Sequence, residues 1–118
     1  MPNAAHVRYL LTLKRMNKNH GIRSADVADE LNVTKTSVHN MMEKFIKMDY
    51  VEKENGGLIF VTKLGLQMAE YYDRQYRKIR HLLFADHEAD KSVERAICAL
   101  IADLSDESRA LLMQEQTA

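Results

Sequence analysis

The stretch "VTKTSVHNMMEKFIKMDY", residues 33–50, sets Lys35, Thr36, Ser37, His39, Asn40, Glu43, Lys44 and Lys47 between Val38, Met41, Met42 and Phe45. The apolar residues recur at i, i+3, i+4 and i+7, which predicts one helix with an apolar and a polar side. The polar side suits recognition. Thr36, Ser37 and His39 can donate or accept at base edges, and Lys35, Lys44 and Lys47 suit phosphates. Asn40 carries the amide that pairs bidentately with adenine, so it is the first candidate for base readout.

The elements that must hold this face read as follows. Residues 5–17 form a first helix with Val7, Leu10, Leu11, Leu13 and Met16 apolar, and Gly21 as its stop. Ser24 is expected to cap a short second helix, "ADVADEL", with Val27, Ala28 and Leu31 inward. A tight turn at "NV" follows, and Thr34 caps the third helix. In "YVEKENGGLIFVT" two β-rich runs flank Asn55-Gly56-Gly57, residues that tolerate positive φ and so signal a hairpin. Thr62 caps a long helix over 63–84 with Met68, Tyr72, Tyr76, Ile79 and Leu83 along one side. After a polar break, "ADHEAD", a helix over 91–102 carries Val93, Ala96, Ile97, Leu100 and Ile101 as its apolar residues, and Ser105 caps a last one. "EQTA" is expected to fray.

Helix, short helix, tight turn, helix and hairpin, in that order, make a winged helix-turn-helix. The second helix braces the third, which projects into a major groove wide enough for one helix. The hairpin becomes the wing, with Lys53 placed for a backbone contact. The expected fold is mainly α: a winged helix-turn-helix DNA-binding domain over 1–63, then a long linker helix and helical dimerisation region over 64–118.

Composition agrees. The 118 residues suit one compact domain or one with an extension, and one proline with four glycines favours helices. The formal net charge of zero conceals an asymmetry: residues 1–85 carry 14 Lys/Arg against 9 Asp/Glu, and residues 86–118 carry 3 against 8. A basic front suits a polyanion. No run of about 18 apolar residues is present, so no membrane span is expected. Without a signal-peptide pattern, and with Cys98 as the single cysteine, a cytoplasmic location is expected. No GxSxG, P-loop, HExxH or paired-carboxylate arrangement suggests an enzyme.

"SADVADELNVTKTSVHNMMEKFIKMDYVEKENGGLIFVTKLG" resembles the DNA-binding half of the DtxR/MntR iron- and manganese-dependent repressors. The "S-V" of the family's recognition helix, its wing and its "L-T-x-x-G" have counterparts in Ser37-Val38, Gly57-Leu58 and Thr62 to Gly65. "AICALIADLSDES" is similar to the dimerisation-region motif, a Cys or Glu followed by "x-x-E-H-x-x-S-D-E". The resemblance runs over residues 6–112. It implies a homodimeric, cytoplasmic transcriptional repressor that binds double-stranded DNA. No C-terminal SH3-like domain is expected, as in the shorter manganese-type members.

The family holds Mn or Fe with carboxylates, histidines and at times a cysteine, donors these metals accept. Here those positions are largely replaced. Arg8 and Leu11 stand where acids are expected on the first helix, Tyr76 where a histidine is expected, and Ile101 and Ala102 where the Glu-His pair falls. Cys98 survives, with Glu94 one turn before it on the same face. A remodelled site could add His81 and His87. Otherwise Cys98 packs as a small hydrophobe, and the metal switch gives way to a packed, metal-independent link. Two other readings remain open. Tyr71, Tyr72 and Tyr76 with Met68 could line an effector pocket, as in MarR-like regulators that sense small molecules, or form a dimer seam or core. A winged-helix adaptor that binds only protein is the other alternative.

Overall fold

The computed structural model describes residues 3–114. The elements run α1 (Ala4–Met16), β1 (Ile22–Arg23), α2 (Ser24–Leu31), α3 (Lys35–Lys47), β2 (Val51–Lys53), β3 (Leu58–Val61), α4 (Lys63–Phe84), α5 (Lys91–Asp103) and α6 (Asp106–Met113). The described residues pack as two compact units, 9–70 on one hand and 3–8 with 71–114 on the other. The tail "EQTA" expected to fray lies outside the described residues.

The unit Tyr9–Glu70 grows from its apolar spacing. Leu10, Leu13, Val27, Val38, Met42, Phe45, Val51 and Ile59 are all buried in it. A buried Leu, Met or Phe side chain contributes about 1.5–3 kcal/mol, so these positions outweigh the modest helix propensity of the β-branched residues beside them. Thr34 caps α3 as expected, its Oγ1 accepting from Ser37 N at 3.0 Å. Between α2 and α3 the chain reverses at Asn32, which takes the left-handed region at φ 54°. Asn tolerates that region better than most residues.

Three strands form one antiparallel sheet in the order β1-β3-β2, with Ile22 opposite Ile59 and Val51 opposite Val61. The element order and this sheet are consistent with a winged helix. In the hairpin the positive φ values fall on Gly56 (97°) and Gly57 (84°), and not on Asn55. Both glycines have open space around them, so backbone conformation rather than crowding selects them.

Two local expectations are corrected here. Ser24 is the first helical residue and not the cap; Arg23 occupies the cap position, with no side-chain hydrogen bond. Gly21 does not stop α1, which ends at Met16. Instead Gly21 (φ +82°) lies against Phe60, whose Cζ would meet an added Cβ at 2.8 Å. β1 itself was not anticipated.

The start of α4 is tied to the end of α3. Tyr50 N donates to Phe45 O at 2.8 Å and Thr62 N donates to Tyr50 O at 3.0 Å. Thr62 Oγ1 donates to Asp49 O at 2.6 Å and accepts from Gly65 N at 3.0 Å, which makes Thr62 the expected cap of α4. Gly65 is required: an added Cβ would lie 2.1 Å from Tyr50 O. Lys14 on α1 and Glu70 on α4 close the unit with an ion pair at 3.0 Å.

In the other unit Tyr72, Gln75, Tyr76, Ile79, Ile97, Cys98 and Ile101 are buried. Asp90 caps α5 and Ser105 caps α6. Arg109 of α6 joins them: its guanidinium donates to Gln75 Oε1, to Ile101 O at 3.3 Å and to Leu104 O at 3.0 Å. The expected apolar faces are only partly inward. Leu83, Ala96 and Leu100 are exposed, as are Leu82 and Leu111. A helical stripe marks a side that avoids water, but it does not say whether this chain covers it.

Candidate nucleic-acid interface

α3 presents its two sides as its spacing demands. Val38, Met41, Met42 and Phe45 are buried, while Lys35, Thr36, Ser37, His39, Asn40, Lys44 and Lys47 are all exposed. The face is therefore available on a helix whose other side is fixed in a core. Rigid support matters because a side chain that must meet a base edge loses less conformational freedom when its backbone is already held. One residue is partly committed: Ser37 Oγ accepts from Thr34 Oγ1 at 2.9 Å.

The wing joins this face. Lys53 Nζ lies 3.5 Å from His39 Nδ1. An ammonium only donates, so a hydrogen bond in this pair runs from Lys53 Nζ to His39 Nδ1. This brings together two candidates that are 14 residues apart in the chain. Beside them a cleft of about 550 Å³ is lined by Arg23, Ser24, Lys35, Lys53 and the hairpin from Asn55 to Leu58. Arg23 was not among the candidates. Its signal lay in the sequence as a cation one residue before a helix, but only pairing of β1 with β3 carries it to the wing.

The metal candidates differ in exposure. Cys98 is buried, Glu94 half-buried, and His81 and His87 exposed. Among the described residues, no three His, Cys, Asp or Glu side chains come together as a cation's ligands would. Tyr76 and Ile101 are buried and Ala102 half-buried in the same unit; Leu11 is buried in the other. Arg8 is half-buried, and its Nε has no hydrogen-bond partner. These residues do not fit Mn or Fe, which need several oxygen or nitrogen donors.

The tyrosines separate. Tyr72 and Tyr76 are core residues. Tyr71 is half-exposed, meets the Tyr72 ring edge-on at 5.2 Å and lies under the Arg109 guanidinium at 6.0 Å. A shallow cleft of about 360 Å³ takes in Tyr71, Tyr72, Leu104 and Arg109 but not Tyr76. Among the described residues, no helix is long and apolar enough to cross a membrane.

No family model matches the chain, and no curated protein matches it. Solved structures do. The hypothetical protein SSo2273 from Sulfolobus solfataricus is 23% identical with a TM-score of 0.64, over 94% of this chain and 86% of that one. T. acidophilum IdeR is 19% identical with a TM-score of 0.71, over 96% of this chain and 54% of that one. The manganese regulator SloR is 22% identical with a TM-score of 0.67, over 95% of this chain and 52% of that one. The chain thus spans about half the length of the last two. At these identities the likeness establishes a shared fold.

Proposed function

We propose that this chain is a cytoplasmic, homodimeric transcription regulator that binds double-stranded DNA. Residues 1–63 serve as the DNA-binding domain, and residues 64–118 supply the dimerisation region. The observation that carries the reading is the exposed polar side of α3, backed by a buried apolar side and joined by the wing's Lys53. Asn40, His39, Thr36 and Ser37 read bases; Lys35, Lys44, Lys47 and Lys53 meet phosphates. A polyanion gains from this cationic set through counterion release, so binding falls with salt. That one protein of the same fold is a manganese regulator supports a regulatory role.

Metal control does not follow from the fold. Because Arg8, Leu11, Tyr76, Ile101 and Ala102 stand where the resemblance places oxygen and nitrogen donors, the regulator is proposed to work without Mn or Fe. Repression is the expected outcome, since a dimer seated on two half-sites about one turn (about 34 Å) apart occupies the duplex.

The test is selection of duplexes from a random-sequence pool by the full chain, with and without divalent metal, followed by gel shift. Enrichment of a paired half-site, unaffected by chelator, supports the reading. Retention of duplex that is insensitive to Lys35→Gln and Asn40→Ala overturns it.

A further inference from the structure

A second cationic cleft lies beside the one at the wing. It measures about 370 Å³ and is lined by Arg15, Lys18, His20 and Arg23, with Asp26 as its acid. Arg23 and Leu58 line both clefts, so the two adjoin at β1. Together they carry Arg15, Lys18, Arg23, Lys35 and Lys53 against a single carboxylate. The whole unit Tyr9–Glu70 is nearly balanced, with 9 Lys/Arg against 8 Asp/Glu. Five of the unit's nine Lys/Arg therefore line this strip.

The turn that bears Lys18 and His20 is held. Gly21 N donates to Lys18 O at 3.1 Å, and Gly21 lies against the Phe60 ring in a conformation side chains disfavour. Lys18 and His20 are exposed on it. A held turn loses little freedom on meeting a ligand.

We propose that this cleft is a second anchor for the duplex backbone, outside the recognition helix and wing. Its occupant is the DNA phosphate chain: the cleft continues the proposed interface, and its charge complements phosphate. The anchor adds affinity without base preference, because phosphates are alike in every sequence. This rests on the DNA-binding reading above.

The experiment compares the full-length chain with a double variant, Arg15→Gln with Lys18→Gln, on the duplex enriched by wild type. Arg74→Gln, an exposed cation off the strip, is the control for charge. Each phosphate contact changes affinity by about fourfold when salt rises about fourfold. The double variant should lose about one order of magnitude less affinity than wild type over that rise, and enrich the same sequence. Arg74→Gln should follow wild type. If the double variant matches wild type in affinity and salt slope while Lys35→Gln weakens binding, the second anchor is wrong and the DNA reading stands. A shifted sequence preference in the double variant also overturns it. If wild type retains no duplex at any salt, both fall. Unchanged thermal melting of the double variant confirms that it folds.

Discussion

Gly65 is the position where one added carbon should be felt most. An alanine Cβ there would sit 2.1 Å from Tyr50 O, 2.9 Å from Tyr50 C and 2.9 Å from Val61 Cγ1. The first two are backbone atoms and cannot rotate away. Tyr50 O is also fixed by Thr62 N at 3.0 Å. Relief requires the start of α4 to move by about 1 Å from the α3–β2 connection, and overpacking of this kind costs about 1–3 kcal/mol. A backbone obstacle puts the cost at the upper end, about 3 kcal/mol. Alanine gains about 1 kcal/mol over glycine inside a helix, which leaves a net loss of about 2 kcal/mol. For a chain of this length that lowers Tm by about 8 °C. Thermal unfolding followed by circular dichroism measures it. A Gly65→Ala protein that melts at or above wild type would show that the close approach of α4 to Tyr50 is not real.

Asn40→Ala should cost about 1–3 kcal/mol on the enriched duplex and relax selection at one base, whereas Lys35→Gln should weaken all sequences alike; competition gel shifts against single-base variants separate the two. Arg109→Met strips a donor from Gln75, Ile101 and Leu104 at once. Leaving such acceptors unmatched costs about 2–3 kcal/mol, to be read as a lower urea midpoint. Calorimetric titration with Mn, Fe, Co and Zn should find no site tighter than about micromolar, and Cys98→Ala should leave that unchanged; a tight Cys98-dependent site would refute the metal-independent reading.

Periodicity and caps carried most of the architecture. α3 was legible because four apolar residues at helical spacing follow Thr34, a side chain able to bond a free N–H of the first turn. Ser105 and Thr62 were legible for the same reason. β1 was not: Ile22–Arg23 is two residues long, too short for an alternation, and only β3 defines it as a strand. Ser24 misled because Ser favours the cap position, but the strand runs directly into the helix and Arg23 takes that place. Leu83, Ala96 and Leu100 show the limit of a stripe, which names the apolar side without naming what covers it. The polar face of α3 could be read locally. The strip through Arg15, Lys18 and Arg23 could not, because the turn after α1 and the pairing of β1 assemble it.

The knot around Thr62 has a consequence for how the molecule opens. Tyr50 N, Thr62 N and Gly65 N each donate into bonds that share Thr62 or Tyr50. Freeing any one of these amides to solvent strains the others, so they should trade hydrogen for deuterium in a single event and with one protection factor. The end of the third helix, the entry to the hairpin and the first turn of the fourth helix would then breathe as one foldon, slower than the exposed turn at Asn55 and Gly56.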